Sequence, residues 1–262
     1  MVGGEMMGIP EYLYHYTSID SLIMILVSKK LRLNTLLNMD DADEIITKNS
    51  PFLGKYCYIS SWTASQEENI PLWSMYTGGM TGVRLKMRSL PFEKRKVSLG
   101  YYDEGKPFST YYPDDIIHSN HCNIIPTIPF LREVEYTYDE NLIFPEPITY
   151  LQQKSNGLFD LQGNFDDICR WKRGNWKFQE EWRYCIFVLP HDTKGRLVLN
   201  LAPSTTDMTF TFYDLKFCEN AFDDIEIMMG PKFPDKDKAL LEKVCERYAP
   251  KAALIKSSLN IR

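Results

Sequence analysis

The residues in this chain with the types and spacing to do chemistry are few and scattered. His15 sits between two tyrosines in "LYHYT", Trp73 and Tyr76 share a side of "PLWSMY", and Glu180-Glu181 precedes Trp182-Arg183 in "WKFQEEWRY". Neutral imidazole can both give and accept hydrogen bonds, an aromatic face can hold a flat ligand, and a fixed carboxylate stabilises developing positive charge. Each also has a plain structural reading: a satisfied core histidine, a packed helix face, an ion pair beside a strand. A second group is "RWKRGNWK", where Arg170, Lys172, Arg173 and Lys177 alternate with Trp171 and Trp176. That composition binds phosphates and stacks bases, and its alternative is a solvated turn anchored by tryptophans. "HSNHC" offers His118, His121 and Cys122, but no second ligand group completes a metal site, so a polar loop is expected there.

Several function classes lose weight by pattern, the obvious hydrolases, kinases and Rossmann enzymes among them. There is no G-x-S-x-G elbow, no G-x-x-x-x-G-K-[ST] phosphate loop and no G-x-G-x-x-G fingerprint. The six cysteines are far apart and form no C-x-x-C pair, which argues for reduced, mostly buried thiols and against structural zinc. The formal net charge of −5 is the wrong sign for a strongly basic nucleic-acid clamp, although a local patch can oppose it. No apolar run approaches the ~18 residues needed to cross a bilayer. The opening "MVGGEMMGIPEYL" lacks a basic region followed by an apolar core, so a cytoplasmic location is expected.

Positioning these residues falls to a succession of short elements. Tyr12–Tyr16 reads as a strand; Thr17 and Asp20 resemble a capping box, and Ile19, Leu22, Ile23, Leu26 and Val27 recur at helical spacing. "KKLRLN", "KYCYISSWT" and the alternating "GVRLKMR" read as strands, with "NIPLWSMYTGG" a short helix between the last two. "LLNMDDADE" suits a loop or helix start. Residues 89–131 read as a loop or helical insertion. "REVEYTY" alternates, a central strand begins near Glu181, and "RLVLNLA", "MTFTFYDLKF" and "IEIMMG" supply further strands. Pro234 and Asp235 open a last helix before "ALIKSSLNI", a closing strand. The expectation is one α+β domain over 1–262, with mostly antiparallel, tyrosine-rich strands.

The order of these blocks resembles a bacterial family catalogued as domain of unknown function 2971. The opening strand, Asn38, Asp41 and Glu44, the Leu72-Trp73 and Tyr76 block with its Gly-Val strand, and "WKFQEEWRY" with "IEIMMGPK" follow the family's pattern over nearly the full chain. Gln179 departs from the first glutamate of the family's W-x-x-E-x-E-W-R block, and Glu181 matches its second. That family in turn resembles the His-Tyr-Glu type of ADP-ribosyltransferases. The resemblance implies split antiparallel β-sheets with flanking helices, clasping NAD as a substrate in a cleft.

It also implies roles. His15 would bond the adenosine-side ribose, Tyr76 would stack on nicotinamide, and Glu181 would hold the nicotinamide-ribose hydroxyl as the glycosidic bond loosens. Tyr16, Thr17, Tyr58, Ser60, Trp73 and Arg183 would complete the NAD site, with Ser61 beside Ser60, and Gln179 would bind the acceptor. The implied activity is ADP-ribosylation of a macromolecule, nucleic acid being suggested by "RWKRGNWK", in a toxin or defence effector. The alternatives are an NAD glycohydrolase and a catalytically inactive binding module of the same fold.

Overall fold

A computed structural model describes residues 8–97, 108–112, 122–124, 130–153, 159–192 and 211–262. Ten strands form one sheet: β1 (Tyr12–Thr17), β2 (Lys30–Thr35), β3 (Cys57–Thr63), β4 (Val83–Arg88), β5 (Cys122–Ile124), β6 (Leu131–Glu133), β7 (Glu181–Pro190), β8 (Phe212–Lys216), β9 (Glu226–Met229) and β10 (Ala253–Lys256). Their path is β8-β2-β3-β1-β4-β9-β10, and β7 pairs with β3, β5 and β6. All pairs are antiparallel except β9 with β10. With helices α1 (Ile19–Ser28), α2 (Ile70–Tyr76) and α3 (Asp235–Tyr248), the molecule is α+β, as its alternation of patterns predicts.

Alternation explains the central strands. In β4, Val83, Leu85 and Met87 are fully buried beneath the sheet. Arg84, on the alternate face, is buried too: its guanidinium lies 4.8 Å from the Tyr14 ring centre and donates to the Gln66 carbonyl at 2.9 Å. Strand β7 is buried along nearly its whole length because its alternate residues enter two core clusters, Tyr184, Ile186 and Val188 one and Cys185, Phe187 and Leu189 the other. Helix α1 turns Leu22, Ile25 and Leu26 inward and packs on α3. Burying each such side chain stabilises by about 1.5–3 kcal/mol.

Four expectations need correcting. Helix α1 is capped by Ser18, not Thr17: the Ser18 hydroxyl accepts from the Ser21 amide at 3.1 Å, and Thr17 belongs to β1. Segment 89–131 carries strand pairing in its described part, where Arg95–Val97 pairs with Phe108–Thr110 and β5 pairs with β7. "REVEYTY" breaks at Val134, whose amide donates to the Glu181 carbonyl at 2.8 Å, into β6 and a strand Glu135–Thr137 that pairs in parallel with Trp171–Arg173. The closing strand stops at Lys256. "RLVLNLA" and His118 and His121 of "HSNHC" lie outside the described residues.

The feature that makes a site is a divergence at β3. Asn34 and Thr35 of β2 pair with Ile59 and Tyr58, while Tyr14 of β1 pairs with Thr63. Between these pairings Ser60, Ser61 and Trp62 face a cleft that parts β1 from β2, and α1, which connects those strands, lines it as well. Tyr14 and Glu181 both register with Thr63, so β1 and β7 are two strand spacings, about 10 Å, apart there.

Candidate functional site

The cleft encloses about 560 Å³, within the range of small-molecule sites. His15, Tyr16, Thr17, Ser60, Ser61, Trp62, Tyr76, Lys172, Gln179 and Glu181 are among its lining residues. His15, Tyr76 and Glu181, remote in sequence, therefore share one concave surface.

The His15 wall is neutral. Its Nδ1 is 2.9 Å from the Ser61 carbonyl, which can only accept, so Nδ1 carries the proton and Nε2 is left as an acceptor. The ring stacks on Trp62 with centroids 4.8 Å apart. Burial lowers the His15 pKa from its ordinary value, outweighing the opposing hydrogen bond to Ser61.

The Glu181 wall is a buried knot of four charges. Arg183 grips Glu181 with both prongs, Nε to Oε1 at 2.6 Å and Nη2 to Oε2 at 3.0 Å. Lys172 Nζ lies 3.1 Å from Glu181 Oε2 and 3.0 Å from Glu44 Oε1, and Arg183 Nη1 lies 2.5 Å from Glu44 Oε2. These four side chains are each 6% exposed or less, and two cations balance two carboxylates. Burial alone would raise the Glu181 pKa, but the charges of Arg183 and Lys172, then hydrogen bonds from Arg183 and Ser61, win and hold it at about 2. The carboxylate is thus ionised at any physiological pH.

A polar chain joins this knot to the cleft surface. Lys172 Nζ donates to Gln179 Oε1 at 2.8 Å, and Gln179 Nε2 donates to the Tyr76 hydroxyl at 2.7 Å. Asp40, exposed on the cleft wall, lies close enough for its charge to act on that hydroxyl. Burial, then the charges of Asp40 and Glu181, push the Tyr76 pKa up, so the phenol stays protonated.

The remaining expected residues divide. Tyr16, Thr17, Ser60 and Gln179 line the cleft, whereas Tyr58, Trp73 and Arg183 do not. Tyr58 is fully buried in the core. Trp73 is also fully buried, meeting Tyr16 edge-on at 4.9 Å and donating from Nε1 to Glu68 at 3.0 Å, so it anchors α2 and walls nothing. Arg183 acts behind Glu181. Gln179, expected to bind an acceptor, is buried with both ends of its amide engaged within the protein.

"RWKRGNWK" is not the open cation stripe its composition implied. Arg170 is ion-paired to Glu135 and Asp166, Arg173 to Asp43 and Glu140, and Lys172 is consumed by the buried knot. Trp171 donates to Asp167, and the Trp176 ring covers Lys172 at 4.8 Å, leaving Lys177 as the exposed cation of the segment. Sequence reasoning assigned Glu44 only to a motif and missed Asp40 as a site residue. The acidic run "LLNMDDADE" holds both, but nothing local says which carboxylate turns inward.

No protein-family model, curated protein or solved structure matches this chain.

Proposed function

We propose that the protein binds NAD in the β1–β2 cleft, breaks its nicotinamide–ribose bond and transfers ADP-ribose to a macromolecule. The observation that carries this reading is that His15, Tyr76 and an ionised, immobilised Glu181 line the same cleft. The family resemblance implies two split sheets; here β1 and β2 belong to one ten-stranded sheet, and their divergence along β3 supplies the cleft that this reading needs.

In this reading Nε2 of His15 accepts from a ribose hydroxyl, and the Tyr76 ring faces nicotinamide. As the C–N bond lengthens, its electron pair leaves with nicotinamide and positive charge grows on the ribose. Glu181, fixed by Arg183 and Lys172, is oriented toward that charge before it forms, so little reorganisation is needed. A carboxylate with a pKa of about 2 is a poor proton acceptor at neutral pH. The proton lost by the attacking acceptor therefore goes to Asp40, the exposed carboxylate beside the Tyr76 hydroxyl.

Incubation with adenylate-labelled NAD and cell lysate tests the reading. Label in protein or nucleic acid supports transfer and names the acceptor class. Nicotinamide release without labelled macromolecule means that water is the acceptor. Absence of both overturns the proposal.

A further inference from the structure

Behind the charged knot, three thiols widely separated in sequence come together. Cys57 lies on β3 and Cys185 on β7, where Phe187 registers with Cys57 and Ile59 with Cys185, placing the two cysteines diagonally on adjacent strands. Cys169 approaches from the turn before Trp171, and its Sγ lies 3.2 Å from that of Cys185. Cys57 contacts both. All three are buried and reduced.

Two observations set Cys169 apart. Its φ is +60°, a left-handed conformation that costs a side-chain-bearing residue energy and persists only where its surroundings impose it. It also sits in a positive environment. Arg132 lies against it, and the Nε–H of Arg132 is buried without a hydrogen-bond acceptor among the described residues. Arg183 Nη1 donates to the Cys169 carbonyl at 3.3 Å. Burial by itself would raise the Cys169 pKa; hydrogen bonds from Cys185 and Cys57, then the charges of Arg132 and Arg183, lower it.

We infer that Cys169 is a site of reversible thiol oxidation, in which its sulfur attacks peroxide and is resolved by Cys185 as an intramolecular disulfide. The Cys169 thiolate displaces hydroxide from hydrogen peroxide, so sulfur is oxidised to a sulfenic acid as the O–O bond breaks. The Cys185 thiol then attacks that sulfur; the S–S bond forms and the sulfenic oxygen leaves as water, carrying the thiol proton. Two thiols lose two electrons and the peroxide takes them. A small dithiol reverses the step by exchange. The Sγ atoms are already in contact at 3.2 Å, against a bonded length of about 2.05 Å. The consequence reaches the cleft through Arg183, whose contact with the Cys169 carbonyl lies next to its grip on Glu181 and Glu44.

The test uses the full chain, treated with hydrogen peroxide, denatured, alkylated and mapped by mass spectrometry. The expected product has lost two hydrogens, escapes alkylation at Cys169 and Cys185, yields a peptide linking them, and reverts on reduction. Cys218 is the internal comparison, since it is the most exposed of the six described thiols. The Cys185→Ser variant should instead hold Cys169 as a sulfenic acid that a dimedone probe labels. Oxidation confined to Cys218, a link joining another pair, or full alkylation of all six thiols after peroxide overturns the inference. None of these outcomes depends on whether the protein uses NAD.

Discussion

The two walls of the cleft are built on opposite physical terms. His15 is neutral, held by one carbonyl and one stacked ring, and can be half-buried because nothing charged has to leave water. Glu181 is charged and buried, and it is tolerated only because Arg183, Lys172 and Glu44 close a balanced knot around it. A neutral ligand-binding group can thus be supported locally by β1 and β3. A buried charge recruits partners from segments far apart in the chain, and it loses stability when any one of them is removed.

The largest effect should come from breaking the knot. Arg183→Leu leaves Glu44 and Glu181 facing one lysine and should destabilise by about 3–5 kcal/mol, read as a lower urea midpoint. The matching change on the other wall, His15→Phe, keeps an aromatic ring against Trp62 and loses one hydrogen bond, so about 1 kcal/mol is expected. Equal losses from the two variants would erase the distinction between the walls.

Activity should split differently. Asp40→Asn is expected to lower turnover of NAD with an acceptor by about 100-fold, with little change in NAD affinity, as for loss of a general base. Azide, an acceptor with no proton to lose, should restore turnover in this variant and not in one lacking the Glu181 carboxylate. Failure of azide rescue would remove Asp40 from the proton transfer.

The walls should also titrate apart. Glu181 has a folded-state pKa of about 2 against an ordinary 4.5, so its stabilisation is complete above 4.5 and is lost as pH falls toward 2. His15 has a pKa lowered from 6.5 on folding, so the unfolded chain takes its proton first and stability begins to fall below pH 6.5. Stability against pH should show a small step near neutrality and a larger acid one. His15→Phe should remove only the first.

Strand positions were legible because alternation and aromatic runs are local: β1, β4 and the start of β7 fall where the pattern puts them. The cap shifted by one residue because Ser18 and Thr17 are equally able to accept from the first turn, and β1 pairing with β4 takes Thr17 into the strand. Trp73 and Tyr76 look alike on a helix wheel, yet one is core and the other faces the cleft, a difference set by Tyr16 and Glu68 from outside the helix. Lys172 looked like part of a basic surface because its carboxylate partners, Glu44 and Glu181, come from other elements. The thiol trio was hidden for the same reason: Cys57, Cys169 and Cys185 meet only once β3 and β7 pair.

The central claim is that Glu181 is an ionised catalytic carboxylate in an NAD site. Glu181→Gln tests it most directly: it removes the charge and keeps the shape, and because Glu44 still pairs with both Arg183 and Lys172 the variant should fold, with a lower urea midpoint than the native protein. Nicotinamide release from NAD should be measurable for the native protein and about 100- to 1,000-fold slower for this variant, with circular dichroism unchanged. Equal rates in a folded variant, or no release by the native protein, would contradict the claim.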